Sequence, residues 1–90
     1  MRRVTLSGNK MKNKKELHAY LARKLDFPSY YGKNLDALYD CLTEISEDLH
    51  LELRNWHHIE AHLKDYSGKA VYVFHCAMDD NPHLTVTLRP

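Results

Sequence analysis

The sequence predicts an α/β fold in which parallel strands pack against helices. Short runs that alternate apolar and polar residues, the pattern of half-buried strands, occur near the start, in the middle and near the end of the chain. The stretches between these runs carry apolar residues at the helical spacings of three and four. Each such stretch is longer than a hairpin needs, and parallel strands require long crossover connections. This order favours an α/β layer with parallel strands.

The first strand is predicted over Arg3–Leu6, and the turn Ser7–Asn9 follows it. Asn13 and Glu16 have the spacing of a capping box, with asparagine in place of the usual serine or threonine, and predict a helix start. The helix should end before Pro28, because the residue that precedes a proline avoids the α region. The core-facing side of this helix would carry Leu17, Leu21 and Leu25.

The loop Ser29–Asn34 precedes a second predicted helix. Within the loop, Gly32 is expected to adopt a positive φ or to let another backbone approach closely, and Asn34 is expected to cap the helix. The apolar stripe of this helix comprises Leu35, Leu38, Leu42, Ile45 and Leu49. The polar residues of the same segment fall mostly outside the stripe and should point away from the core: Asp36, Tyr39, Asp40, Thr43, Glu44 and Glu47.

The second strand is predicted over Leu49–Arg54, where apolar and polar residues alternate without interruption, so Leu49 belongs to two predicted elements. Asn55 is expected to cap a third helix, which Tyr66–Gly68 would end. The inward-facing residues of that helix would be Trp56, Ile59 and Leu63.

The C-terminal part of the chain contains one ambiguous segment. The apolar run Lys69–Met78 fits either a buried helix or a strand, and periodicity does not decide between them. A turn over Asp79–Pro82 and a third strand over Leu84–Leu88 complete the predicted order of elements.

Length and composition predict one domain over residues 1–90 with a single modest core. No apolar run approaches the roughly 20 residues that span a bilayer, and no secretory signal is visible, so neither a membrane partner nor export is expected. Cys41 and Cys76 are the only cysteines, and they form no CxxC motif. A reducing, cytoplasmic location is therefore expected.

The net charge of +1 conceals a strong asymmetry along the chain. Residues 1–25 contain eight Lys or Arg and one acid, a balance of +7, whereas residues 26–52 contain seven acids and one Lys, a balance of −6. The acidic block indicates a cationic partner, and a solvated helix face is the alternative interpretation. The basic block could bind phosphates, but it contains no recognised motif, so direct nucleic-acid binding is not predicted.

Three acids of the second helix recur at every fourth residue, which stacks Asp36, Asp40 and Glu44 on one face. Like charges at this spacing cost an isolated helix about 0.2–0.5 kcal/mol per pair. Tyrosines, which are enriched at protein interfaces and at their hot spots, surround these acids: Tyr30, Tyr31 and Tyr39. The combination predicts a protein-binding surface.

The sequence indicates neither a metal site nor an active site. His58 and His62 lie four residues apart, but the pattern is not HExxH and no third ligand is obvious. Cys41 lies beside the apolar stripe, where a buried, inert thiol is the expected state. Asp36 and Asp40 could imitate the carboxylate pair of a glycosidase, but they lie on one helix of a small chain. No cofactor and no enzymatic activity are predicted, and a metal-binding or catalytic protein stays as a third hypothesis.

The segment Phe27–Thr43 reads FPSYYGKNLDALYDCLT and resembles the barstar family of intracellular ribonuclease inhibitors. A weaker resemblance continues through HLELRNW, AVYVF and the terminal LTVTL. The resemblance implies a three-layer α/β fold with a three-stranded parallel sheet packed by helices, and it implies a helix for Lys69–Met78. The implied partner is a basic ribonuclease, of an extracellular or toxin type, whose active site the acidic helix and loop would block.

The resemblance also implies which residues contact the partner. They are Tyr30, Gly32, Asn34, Leu35, Asp36, Tyr39, Asp40, Thr43 and Glu44. The sequence departs from the family pattern at three places: Tyr39 replaces a tryptophan, Cys76 replaces an interface glutamate, and Glu44-Ile45 replaces a Gly-Trp pair. An interaction module that binds another basic protein, without nuclease inhibition, is the alternative function.

Overall fold

The computed structural model describes residues 2–89, so Met1 and Pro90, the ends of the predicted domain, lie outside the described residues. In chain order the elements are β1 (Arg2–Ser7), a 3-10 helix (Gly8–Lys10), α1 (Lys14–Leu25), α2 (Leu35–Thr43), β2 (Leu49–Arg54), α3 (Trp56–Leu63), α4 (Asp65–Asp80) and β3 (Leu84–Leu88). The strands form one parallel sheet in the order β1-β2-β3. This confirms the predicted α/β fold, and the ambiguous segment is helical.

The sheet has one leucine-rich face and one polar face. In the parallel register, Leu51 lies between Val4 and Val86, and alternate residues of a strand point to opposite faces. The leucine-rich face is buried beneath helices, with α1 on β1 and α4 on β3. Helix α2 packs in turn against α4, so the sheet, α4 and α2 are stacked in succession. On the polar face, the His50 ring hydrogen-bonds the hydroxyl groups of Thr85 and Thr87.

Two of the three predicted helix caps are confirmed. The Asn13 side chain accepts a hydrogen bond from the Glu16 N–H at 2.8 Å, and the Asn34 side chain accepts one from the Ala37 N–H at 2.8 Å. Caps of this kind contribute about 1 kcal/mol each. Asn55 occupies the predicted N-cap position of α3, but it has a left-handed backbone with φ of 57° and makes no side-chain cap bond, so the expected capping interaction is missing.

The expectations for Gly32 are wrong in both respects. The positive φ of the loop, 55°, belongs to Lys33. The close backbone approach occurs instead at Gly8, where an added Cβ would lie 2.2 Å from the carbonyl oxygen of Asn55. Only glycine therefore fits at position 8, where the chain leaves β1 directly beside the end of β2.

The boundaries of two helices differ from the predicted ones. The third helix is separated from α4 at Lys64, which has φ of 48°, and Tyr66–Gly68 lies in the first turn of α4. Helix α2 ends at Thr43, before Ile45, because the buried Asn81 amide donates to the carbonyl oxygens of Leu42 and Ile45 at 2.9 and 3.0 Å. Across residues 2–89, every helix is too short or too polar to cross a membrane.

The core and the acidic residues of α2 lie on opposite sides of the helix, as the sequence predicts. Leu38 and Leu42 are both 0% exposed, whereas Asp36 and Asp40 are exposed. The apolar stripe therefore attaches α2 to the rest of the molecule, and the carboxylates contribute nothing to that attachment.

Replacement of Leu38 by alanine should lower the free energy of unfolding by about 2–5 kcal/mol, the cost of emptying a fully buried leucine site. Asp40→Ala is the matched control on the same helix and should leave stability unchanged or slightly raised, because a repulsion is removed. Urea denaturation followed by circular dichroism measures both values. A large loss of stability in Asp40→Ala would show that this carboxylate is structural.

Candidate protein-binding site

Two acids of α2, Asp36 and Asp40, and Glu44 at its C-terminal cap form an exposed column. Asp36, Asp40 and Glu44 are exposed and follow each other at intervals of one helical turn. In the described part of the chain, none of them forms a salt bridge. Asp36 lies in the first turn of α2, where the helix dipole favours a negative charge, but Asp40 and Glu44 receive little of that benefit.

The other four acids of the −6 block do have arginine or histidine partners. Arg2 approaches Glu47 to 3.1 Å and Asp26 to 4.0 Å. The remaining pairs are Asp48 with His83, and Glu52 with Arg54 and Arg89. These partners are exposed or half-buried, so each pair adds little stability, but together they concentrate the uncompensated negative charge on α2.

The two adjacent tyrosines of the loop have different environments. Tyr31 is buried, and its hydroxyl group lies 2.6 Å from Nδ1 of His18. Nε2 of the same ring lies 2.6 Å from the Tyr66 hydroxyl group, at the start of α4. Tyr30 is 82% exposed. Tyr31 therefore anchors the loop, and Tyr30 is presented to solvent beside the acidic column.

Burial sets the protonation of this network. His18 is 1% exposed, and burial lowers the pKa of its imidazole. Burial likewise raises the pKa of the Tyr31 and Tyr66 hydroxyl groups. All three side chains are therefore neutral near pH 7. The ring of Phe27 packs on Tyr31, with ring centroids 4.9 Å apart, and so covers the network from one side.

A groove lies on each side of α2. The first, of about 240 Å³, separates α2 from the tyrosine loop and is lined by Tyr30, Tyr31, Gly32, Ala37, Asp40, Cys41 and Glu44. The second, of about 330 Å³, separates α2 from α4 and is lined by Leu35, Asp36, Tyr39, Tyr72, Val73, Cys76 and Asp80. Seven of the nine predicted contact residues line one or the other groove, and all seven lie on α2 or on its two flanking segments.

Helix α4 contributes residues that sequence reasoning missed. The Tyr39 hydroxyl group donates a hydrogen bond to the Asp80 carboxylate, and this bond raises the pKa of Tyr39. Tyr72 is 68% exposed beside it. Tyr72, Cys76 and Asp80 recur at intervals of four, so their common face was readable once the segment was known to be helical. The site therefore carries a fourth carboxylate, on a second helix.

The two remaining predicted residues, Asn34 and Thr43, have structural bonds within α2. The Asn34 side chain caps the helix. The Thr43 hydroxyl group lies 3.0 Å from the carbonyl oxygens of both Tyr39 and Asp40, one turn back along the same helix. Any contact that these residues make with a partner comes in addition to these bonds.

Within residues 2–89, the histidine pair lacks the further ligands of a metal site, and Cys41 lacks the lowered pKa of a reactive thiol. His58 and His62 line a cavity of about 300 Å³ together with Lys12. Residues 2–89 contain no cluster of three or more His, Cys, Asp or Glu that could hold a metal ion. Cys41 is half-buried, and burial raises the pKa of its thiol, as do the neighbouring Glu44 and Asp40 carboxylates. A thiol with a raised pKa is a poor nucleophile.

Comparison with known proteins agrees with this geometry. The family model described as "Barstar (barnase inhibitor)" matches residues 1–89. The chain belongs to the barstar family. A protein of Bacillus subtilis (strain 168) named "Putative ribonuclease inhibitor YrdF" is 40% identical over 81 residues, which cover 89% of each chain. The resemblance carried by the segment Phe27–Thr43 is thereby confirmed.

The stability of this barstar-family protein should fall as the pH drops below about 6.5, the ordinary pKa of histidine. The unfolded chain then binds a proton at His18 that the folded chain, with its lowered pKa, does not yet bind. Above this pH, the contribution of His18 to the free energy of unfolding no longer changes with pH. Urea denaturation between about pH 5 and pH 8 should show a steeper decline for the wild type than for His18→Gln.

The exposed His62→Gln variant is the control and should keep the wild-type pH dependence. Equal pH dependence in the wild type and His18→Gln would contradict the assignment of a buried, neutral imidazole to His18.

Proposed function

We propose that this chain is a reversible ribonuclease inhibitor that covers the active site of a basic ribonuclease with α2 and the tyrosine loop. The observation that carries the proposal is the column of Asp36, Asp40 and Glu44. These carboxylates are exposed and form no salt bridge within residues 2–89, while every other acid of residues 26–52 is paired. The family description and the name of the Bacillus subtilis relative support the same function.

The physical mechanism is substitution of carboxylates for phosphates. A ribonuclease binds a phosphodiester, so its cleft presents Arg, Lys and His side chains. Carboxylates that enter this cleft form charge-assisted hydrogen bonds with those groups. The repulsion within the column is relieved in the complex, because each charge gains an opposite partner. No covalent step is required, and inhibition lasts as long as the complex.

The grooves beside α2 supply the apolar part of the proposed interface. Interface hot spots are enriched in tyrosine and cluster in pockets that lose water on binding. Tyr30 borders the first groove, and Tyr39 and Tyr72 border the second. Leu35 adds a half-buried apolar surface to the second groove. We therefore infer that the carboxylates orient the partner and speed its association, and that the tyrosines slow its dissociation.

The proposed contact residues are those that the resemblance implies, with α4 added. They are Tyr30, Gly32, Asn34, Leu35, Asp36, Tyr39, Asp40, Thr43 and Glu44, together with Tyr72 and Asp80. The three departures from the family pattern, at Tyr39, Cys76 and Glu44-Ile45, lie at or beside the two grooves. Their position favours a ribonuclease whose surface differs from that of barnase, and it also keeps another basic protein as the second candidate partner.

Asp40→Ala should weaken binding to a cognate ribonuclease more than any other single substitution. Loss of one member of a buried interfacial charge pair costs about 2–5 kcal/mol, which corresponds to roughly 30- to 4,000-fold in affinity. That range draws on the barnase–barstar complex, whose inhibitor belongs to the same family. Surface plasmon resonance should show the loss mostly as faster dissociation.

Glu47→Ala is the matched control, because Glu47 is exposed and already paired with Arg2. It should change only the association rate, and only at low salt, where the screening length reaches about 30 Å. Barnase and a basic ribonuclease from the same host are the two test enzymes. If Asp36→Ala and Asp40→Ala bind and inhibit as the wild type does, the acidic column is not the inhibitory surface.

A further inference from the structure

The strand β3 forms an open edge of the sheet. The carbonyl oxygen of His83 accepts from the Leu49 N–H, and the Arg89 N–H donates to Leu53, so the backbone groups of the odd-numbered residues face β2. Alternation along a strand then directs the backbone groups of Leu84, Val86 and Leu88 away from the sheet. Among residues 2–89, no strand pairs with this outer side of β3.

Residues 84–88 carry neither the charges nor the proline by which proteins commonly prevent edge pairing. Edge strands are commonly blocked by charges, proline or bulges. The opposite edge follows that rule, since β1 begins with Arg2 and Arg3. The strand β3 has the sequence LTVTL, with no charged residue, proline or glycine. The exposed side of β3 is therefore competent to pair with another strand.

The sequence of β3 reads the same in both directions, with Val86 at its centre. If a second copy pairs antiparallel about Val86, leucine lies opposite leucine, threonine opposite threonine, and Val86 opposite Val86. Threonine pairs and pairs of branched apolar residues across neighbouring strands are favourable. A two-fold axis through Val86 thus gives a self-complementary interface of the kind that closed dimers require.

The outward backbone groups match this register. Residues directly opposite each other in an antiparallel pair either exchange both of their hydrogen bonds or exchange none. With Val86 opposite Val86, the bonding positions are Leu84, Val86 and Leu88, the residues whose backbone groups face outward. The Leu84 N–H is already bonded to the Asn81 carbonyl oxygen. The Val86 and Leu88 N–H groups supply two reciprocal pairs of bonds.

The Val86 N–H has only a weak acceptor in the single chain. It points at the Met78 sulfur atom, 3.3 Å away, and a thioether sulfur is a poor acceptor compared with a carbonyl oxygen. Methionine is unbranched and flexible, so its side chain can move aside without strain. Met78 also lines an apolar groove of about 160 Å³ together with Val86 and the exposed Leu88. Pairing would cover part of this groove.

Charges at the two ends of β3 are complementary in the same arrangement. Extension of the register places Arg89 of one copy opposite His83 of the other. His83 is hydrogen-bonded to the Asp48 carboxylate at 3.0 Å, so the Arg89 guanidinium, which pairs with Glu52 of its own chain at 3.3 Å, would approach a second carboxylate across the interface. The two-fold axis repeats this contact at the other end. Opposite charges at both ends favour the antiparallel register over a slipped one.

We propose that two copies of this chain associate through β3, antiparallel and centred on Val86, to form a continuous six-stranded sheet. The proposal is independent of the proposed ribonuclease inhibition, because β3 contributes no residue to the acidic column or to either groove beside α2.

Sedimentation velocity over a concentration series up to about 1 mM, the weak end of the usual affinity scale, tests association directly. The wild type should shift from the mass of one chain, 10.6 kDa, to twice that mass. Leu88→Pro removes an outward N–H without touching the β2 bonds and should stay at the single-chain mass. Leu88→Ala removes the side chain but keeps the N–H, and it should still dimerise. Thermal denaturation confirms that both variants fold.

Disulfide trapping tests the register. In a Cys41→Ala, Cys76→Ala background, an equimolar mixture of Thr85→Cys and Thr87→Cys should form a cross-linked dimer under mild oxidation. These two positions would face each other as a non-bonded pair with Cα atoms about 4.5 Å apart, within the disulfide range of about 4.4–6.8 Å. Either variant alone should not cross-link, because identical positions lie diagonally, about 7–8 Å apart.

Three results would each overturn the proposal. The first is a wild type that keeps the single-chain mass throughout the series. The second is equal dimerisation of Leu88→Pro and the wild type, or loss of dimerisation in Leu88→Ala, since neither is compatible with backbone pairing. The third is cross-linking of Thr85→Cys or Thr87→Cys alone at the rate of the mixture.

Discussion

The candidate site depends on one buried histidine. One ring nitrogen of His18, in α1, is hydrogen-bonded to the hydroxyl group of Tyr31 in the loop, and the other to that of Tyr66 in α4. A single imidazole therefore joins three separate segments of the chain. A buried ring with an unpartnered nitrogen would be costly. In the described residues, no buried side-chain nitrogen or oxygen lacks a partner. The network therefore fixes the loop in one position, and the exposed Tyr30 is fixed with it.

The acidic helix is held at both ends by asparagine. Asn34 satisfies an N–H of its first turn. Asn81, which follows the end of α4, satisfies the carbonyl oxygen of Leu42 in the last turn of α2 and that of Ile45 just beyond it. Two buried leucines attach its inner side to the core. A helix fixed in this way can carry repelling carboxylates, because the repulsion of a few tenths of a kcal/mol per pair is small beside the burial of one leucine. Charge that destabilises the free protein is thus available for a partner.

The molecule separates its charge and its hydrogen-bonding capacity onto different elements. Among the acids of residues 26–52, four are paired with arginine or histidine, and the three without a salt bridge lie along α2 and at its C-terminal cap, with Asp80 of α4 beside Tyr39. Free backbone groups are found along β3, at the edge of the sheet. These two surfaces have different chemistry: the first presents carboxylates, and the second presents backbone N–H and C=O groups.

The sequence by itself determined the features that arise from local interactions. Helical and alternating periodicities located the strands and helices, the asparagine caps of α1 and α2 followed from hydrogen bonds three residues apart, and the exposure of Asp36 and Asp40 followed from their place outside the apolar stripe. The resemblance of Phe27–Thr43 to the barstar family decided what periodicity left open, that Lys69–Met78 is helical.

Only the tertiary structure decided which acids are free, because the ion pairs of the other acids join residues that are mostly distant in sequence, such as Arg2 and Glu47. The end of α2 at the Asn81 side chain and the position of Tyr72 and Asp80 beside Tyr39 likewise depend on contacts between separate elements. The close approach of backbones at Gly8 and the turn at Lys64 were also not predicted from the sequence. Local patterns contain no information about such contacts, since the distance between the partners is set by the packing of the whole chain.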